Sequence, residues 1–212
     1  MSSLEVINKD NQKISIKLKG IPLQYANALR RICLNGIPVF AIDTVDIIEN
    51  SSVLPDEGLA HRLGLIPIKT DLSRFNEPSK CDCQSEAGCS NCKVMFVLDS
   101  GDSDVTRTIL SSDLTSEDES VKSTSDKIPI VQLAAGQRIK VECYARLGRG
   151  TEHAKWNSAN ISVLTETDKE NERILTIEST GALKPEQIIL AGVDELSNRL
   201  SEFKEIINQL KE

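Results

Sequence analysis

Four cysteines stand within twelve positions, Cys81, Cys83, Cys89 and Cys92, in the spacing C-x-C-x5-C-x2-C. Thiolates close a tetrahedral shell around one zinc ion at about 2.3 Å, and structural zinc sites are closed four-ligand sites. Two close pairs on a short link let one loop wrap a single ion, and Gly88 with Ser90-Asn91 permits the tight turns such a loop needs. Three readings compete. Structural zinc ranks first, because four cysteines in a polar loop of a cytosolic chain usually mean metal. An iron–sulfur cluster also takes four thiolates. Disulfides rank third, since they need an oxidising compartment or a hyperthermophilic source. A catalytic zinc keeps an open position and usually includes His or a carboxylate, and neither His61 nor His153 is near in sequence.

Charges between Lys80 and Lys93 cancel, and no aromatic is interleaved in the loop. The cluster therefore reads as a staple for a poorly cored loop rather than a nucleic-acid grip. Cys33 and Cys143 fall inside apolar patterns and read as buried small hydrophobes. His61 and His153 read as structural or interface residues. No phosphate-binding glycine loop occurs, since GRG at 148–150 is too short a signal. The chain offers no catalytic residues of its own.

The elements that must carry the cluster follow from periodicity. Leu4 and Val6 alternate with polar residues, NKDNQ supplies a turn, and Ile14, Ile16 and Leu18 continue the alternation, so the chain opens as a hairpin. Pro22 starts a helix that runs to about residue 35, with Gly36 and Pro38 as stop signals. Strand patterns follow at 38–48, 94–98, 128–133, 138–147, 161–165 and 173–178, with a short helix at 56–64 and a short strand at LIPIK. The turn between the last two strands is ETDKENE. Residues 99–127, rich in Ser, Asp, Glu and Thr, are expected to be a mobile or weakly packed acidic surface. LGRGTEHAKW at 147–156 is glycine-punctuated and reads as a crossing between domains.

One long helix ends the chain from Pro185, about 40 Å at 1.5 Å per residue. Its apolar positions Ile189, Val193, Leu196, Leu200, Phe203, Ile207 and Leu210 step by four and three, a heptad seam. The seam persists to the penultimate turn, beyond what a small domain's own core needs, so it points to a partner helix.

The chain has 212 residues, 39% hydrophobic, 27% charged and 3% aromatic, with a net charge of -7. That suits one or two globular domains with an aliphatic core. The acidic balance argues against a protein that grips nucleic acid over its whole surface. No apolar run is long enough to span a bilayer, and MSSLEVINKDNQK has no apolar stretch of signal type, so a cytoplasmic, reducing location is expected. Residues 1–31 carry +4, which suggests that this segment faces something acidic.

Specific strings then matter. YANALRRICLNGIP at 25–38 resembles the first helix of the alpha-type assembly subunits of RNA polymerase, and DEGLAHRLGLIPIK at 56–69 is similar to the archaeal and eukaryotic third-largest-subunit branch of that family. LGRGTEHAKW and ESTGALKPEQI match as well. The resemblance covers nearly the whole chain in order. It implies an α+β fold: a discontinuous dimerisation domain of antiparallel sheet and long helices, residues 1–43 and 151–212, with an inserted mainly-β domain, residues 44–150. It implies a non-catalytic scaffold within a nucleotidyltransferase complex. The implied partners are subunit L in a heterodimer, then the second-largest subunit and small subunits N and P, with nucleic acid met only through the complex and no membrane. Leu29 of the first helix and Ile189, Val193, Leu196, Leu200, Phe203 and Ile207 of the last would make the partner contact, and Arg30 and Arg31 match an arginine pair that docks the second-largest subunit. Many archaeal relatives carry a further iron–sulfur domain after the HAKW string. Here HAKWNSANISVL runs straight into a strand, so that domain and its cluster are expected to be absent, and the four cysteines resemble the family's zinc site. The rival reading from another class is a stand-alone iron–sulfur redox protein; a third is a zinc-dependent nucleic-acid binder.

Overall fold

The computed structural model describes residues 3–83, 85, 88–169 and 171–210. Gln84, Glu86 and Ala87 of the cysteine loop, Glu170 of the charged turn, and the two residues at each end lie outside the described residues. The chain forms two compact units, Met1–Pro38 with Arg149–Glu212, and Val39–Gly148. The crossings expected at 43/44 and 150/151 thus fall at 38/39 and 148/149. The reason is a long ladder. Strand β3 (Val39–Asn50) pairs antiparallel with β8 (Ile139–Gly148) from Val39 opposite Gly148 to Asn50 opposite Ile139. Residues 39–43 belong to that ladder and cannot be split from it.

In the first unit β1 (Ser3–Lys9), β2 (Lys13–Lys19), β9 (Ala159–Glu166) and β10 (Glu172–Ser179) form an antiparallel sheet in the order β1-β2-β10-β9. The alternation works as expected on β2, where Ile14, Ile16 and Leu18 are buried beside Leu175 and Ile177 of β10. It fails on β1. Leu4 and Val6 lie opposite Leu18 and Ile16 yet are mostly exposed. Helix α1 (Leu23–Asn35) packs chiefly on β9 and the long helix α3 (Pro185–Gln209) on β10 and β2, which leaves the edge strand uncovered.

Two serines of this unit donate to carbonyls of α1: Ser158 Oγ to Cys33 O at 2.9 Å, among the last four carbonyls that a helix leaves open, and Ser162 Oγ to Arg30 O at 2.8 Å, one turn earlier. The helices approach closely at Gly192, where an added Cβ would stand 2.9 Å from Cys33 Sγ and 3.2 Å from Leu29 Cδ1. Arg149 fastens the same corner. Its Nη1 donates to Gly36 O at 2.5 Å and to Glu195 Oε1 at 2.6 Å, and Glu195 also receives Arg199 Nε at 2.8 Å.

The second unit holds a sheet in the order β3-β8-β4-β6, with β4 Lys93–Asp99 and β6 Thr115–Ser116, and a two-stranded sheet of β5 (Arg107–Leu110) and β7 (Pro129–Leu133). Helix α2 (Asp56–Gly64) buries Leu59 and Leu63 against a core that includes Phe40, Phe96, Ile109 and Val141. Phe40 and Phe75 meet edge to face, 4.9 Å between centroids. LIPIK forms no strand. Ile66 and Ile68 are buried, but Pro67 has no N–H to offer a ladder, and only an isolated bridge joins Ile68 to Ser123. Residues 99–127 are better packed than their composition suggests. Ile109 and Val121 are fully buried, and Ser111 is inside, with Ile128 N donating to its Oγ at 3.1 Å. Many of the acids and serines there close turns: Asp113 accepts from Leu110 N at 2.7 Å and Asp118 from Ser120 N at 2.8 Å.

The Arg149–Glu195 pair is mostly shielded, with side chains 15% and 18% exposed. Replacing Glu195 by Gln removes this mostly shielded ion pair and is expected to lower unfolding free energy by about 2 kcal/mol at pH 7. Burial works against the charged carboxyl, but hydrogen bonds from Arg199 and Arg149 prevail and hold it below its ordinary range. A depressed carboxyl contributes its stability above the ordinary range and loses it as pH falls through the depressed value. Urea unfolding of wild type and Glu195→Gln should therefore differ at neutral pH and converge in acid.

Candidate metal centre and helix surface

The metal loop is delivered by backbone turns. A single 3-10 turn, Pro78–Lys80, leads into Cys81, and Asn76 N donates to Asn91 O at 2.9 Å, closing the base of the loop. Cys92 N and Lys93 N both donate to Cys89 O, at 3.0 and 2.9 Å, and Cys89 N donates to Cys92 Sγ at 3.2 Å. Gly88 sits at φ +79°, a conformation that glycine adopts without strain, and an added Cβ would press on the Lys93 side chain at 3.1 Å. β4 begins one residue after Cys92, so the loop is anchored directly to the sheet.

The four sulfurs converge. Cys81–Cys89 are 3.7 Å apart, and Cys83–Cys92 and Cys89–Cys92 are each 3.8 Å apart. All four ligand atoms lie within 4.8 Å of one another. A tetrahedron with bonds of about 2.3 Å has edges of about 3.8 Å. No pair approaches the bonding distance of a disulfide, about 2.05 Å, and all six cysteines are free. In an iron–sulfur cluster thiolates on different irons are held apart by the bridging sulfides, whereas here all four sulfurs crowd within 4.8 Å. The site can hold one four-coordinate metal ion. Cys81 and Cys92 are buried and Cys83 is on the rim. Burial pushes the Cys92 thiol up to about 12, while a backbone hydrogen bond from Ser85 and then the Cys81 thiol hold Cys83 below its ordinary value. Cys33 and Cys143 are buried as expected, and burial pushes both to about 12.

The residues expected to contact a partner separate into two groups. Val193, Leu200, Phe203 and Ile207 are exposed on α3, Phe203 at 60%. Leu29, Ile189 and Leu196 are half-buried, and Leu29 belongs to the contact of α1 with α3. The inward face of α3 runs through Ile188 and Gly192, and the seam lies beside it. Leu190, Ile206 and Leu210 are exposed apolar residues that belong with this surface. Reading the helix as one narrow stripe passes over Leu190 and Ile206, which stand on either flank of it.

The arginine pair is divided. Arg30 Nη1 donates to Ser162 O at 3.3 Å and its Nε to Asn27 Oδ1 at 2.9 Å, whereas Arg31 is exposed. The basic opening segment is largely answered within its own unit. Lys17 meets Glu5 and Glu172, Lys19 meets Glu5, and Lys9 meets Glu186. Residues 1–38 carry +4 and residues 149–212 carry -4, so the first unit is neutral and the net charge of -7 belongs to the second. His61 and His153 are exposed, and His153 Nδ1 accepts from Lys155 N at 3.0 Å. Among the described residues the four cysteines form the one cluster of metal-ligating side chains, and no helix is long and apolar enough to cross a membrane.

These features define a class: a sheet-and-helix unit interrupted by a β-rich unit that carries a thiolate metal loop, with no catalytic constellation among the described residues. Comparison with known proteins agrees. The family model for the RNA polymerase Rpb3/RpoA insert domain matches residues 37–180. DNA-directed RNA polymerase subunit Rpo3 of Methanosphaera stadtmanae is 44% identical over 161 residues, 74% of this chain and 58% of that protein. Rpo3 of Archaeoglobus fulgidus is 40% identical over 77% of this chain and 60% of its own length. Rpo3 of Methanocaldococcus jannaschii is 37% identical over 90% of this chain and 88% of its own length. The chain belongs to the Rpb3/RpoA family of RNA polymerase subunits. It spans about three-fifths of the first two relatives.

A thiol titration checks the centre. In the metal-loaded chain a disulfide reagent should find no fast-reacting thiol, a chelator should release four, and denaturant the remaining two of six. Cys89→Ser should raise hydrogen exchange at residues 70–95 and leave the first unit's exchange unchanged, because the loop is anchored in the second unit.

Proposed function

We propose that this chain is a non-catalytic assembly subunit of a DNA-directed RNA polymerase. The first unit is its dimerisation domain and pairs with subunit L, and the second-largest subunit and small subunits N and P join that pair. One observation carries the reading: α3 presents exposed apolar residues through to Leu210, far beyond its last buried position at Gly192. A contiguous apolar surface of this kind is kept only where something covers it. The family match and the names of the relatives indicate what kind of complex that is.

In this reading the metal is zinc and its role is structural. Cys81, Cys83, Cys89 and Cys92 hold it, and all four positions are filled by protein, so no open site is left for chemistry. The ion would join two ends of a loop that has few apolar residues of its own, with the thiolates kept reduced in the cytoplasm. The redox alternative lacks the sulfur spacing, and the family match points elsewhere. Arg31, not Arg30, is the arginine available to a second docking partner.

Co-expression with subunit L tests the reading. Leu200→Asp and Phe203→Asp each bring a charge into the covered seam and should abolish co-purification, while each isolated variant keeps wild-type thermal stability because both positions are solvent-exposed in the isolated chain. Undiminished recovery of the pair in both variants would contradict the assignment.

A further inference from the structure

The seam of α3 also carries information about which kind of helix can lie on it. With Val193, Leu200 and Ile207 as a and Leu196, Phe203 and Leu210 as d, the e positions are Leu190, Ser197 and Lys204, and the g positions are Gly192, Arg199 and Ile206. The charged flanks are therefore only basic. Of the helix's acids, Asp194, Glu202 and Glu205 fall at b, c and f, away from the seam, and Glu186 lies before it and pairs with Lys9. Glu195 pairs with Arg149 and, along the helix, with the half-exposed Arg199, so among the described residues Lys204 is the flank cation whose charge is unanswered. Lys204 has no ion-pair partner among the described residues and is exposed.

Two copies of this helix would meet badly. In a parallel pair the g residue faces the e residue five positions on in the other helix, so Arg199 would face Lys204 twice. In an antiparallel pair e faces e and g faces g, and no acid stands at either. Like charges beside a seam are a device for rejecting a partner while the apolar core stays attractive. We infer that Lys204, with Arg199, selects a helix of a different chain whose apolar stripe is flanked by acidic residues, and disfavours pairing of α3 with itself. This rests on the assembly reading above, since it concerns the same surface.

The test uses the full metal-loaded chain and two synthetic helical peptides, each about four heptads long. Both have the same apolar a and d residues; one has Glu at every e and g position and the other Lys. At low salt the Glu peptide should bind wild type about tenfold tighter, and Lys204→Glu should cut that ratio about fivefold, in line with the strength of exposed charge pairs and its loss to screening. Lys204→Glu should also strengthen self-association in sedimentation equilibrium, because Arg199 then faces an acid. Equal binding of the two peptides, or a ratio that Lys204→Glu leaves unchanged, overturns the inference. Phe203→Asp separates the two failures. If it removes binding of peptides that wild type does not distinguish, the seam is a docking face and only charge selection fails. If neither peptide binds wild type, or both bind Phe203→Asp as well as wild type, the assembly reading fails with it.

Discussion

The antiparallel pairing of β3 with β8 sets the terms for everything else. Val39 lies opposite Gly148, so the chain leaves the first unit and returns to it at neighbouring points of one ladder. Only with its ends held together can a whole second unit interrupt a sheet whose strands come from both ends of the chain, β2 beside β10. Long-range pairing of this kind carries a loop-closure cost that must be met by burial. The ladder supplies that burial, since Val39, Phe40, Ala41, Ile42, Val141, Cys143, Ala145 and Leu147 are all inside. Arg149, the first residue back in the first unit, then donates to the C-terminal end of α1 and to α3.

The two units solve different problems. The first has a sheet with one face under two helices, but α3 runs on past the area its own sheet can cover. Leu200, Phe203 and Ile207 stay exposed there, so in the proposed assembly they would gain by association what they cannot gain within the chain. The second unit has an ample aliphatic core but a loop, residues 76–92, in which Cys81 and Cys92 are the main buried side chains. There four converging cysteines, which could hold a metal ion, take the place of a core. The net charge follows the same division, with a neutral first unit and an acidic second one.

Much of this was legible in the residues. Helix boundaries at Pro22–Gly36 and Pro185, the strands on either side of them, and the convergence of four cysteines all follow from local rules of capping, alternation and ligand spacing. What was not legible depended on tertiary context. Leu4 and Val6 have a perfect alternation but no helix above them. Residues 99–127 look too polar to pack, yet Ile109 and Val121 find core positions while serines and aspartates close the turns between them. Charge counted along the chain put a basic segment at the start, whereas Glu172 and Glu186, distant in sequence, stand beside its lysines. The inward side of α3, through Ile188 and Gly192, carried no periodic signal of its own and shows only where Gly192 meets Cys33.

The family relation, the four converging cysteines and the uncovered helix support the proposed reading of a scaffold whose first unit takes a partner and whose second holds a metal. Native mass spectrometry of the chain co-expressed with subunit L, with elemental analysis of the same sample, addresses that account most directly. It predicts a species of one copy of each chain with one zinc ion. Recovery of this chain alone or as a homodimer, or iron with inorganic sulfide in place of zinc, would contradict it.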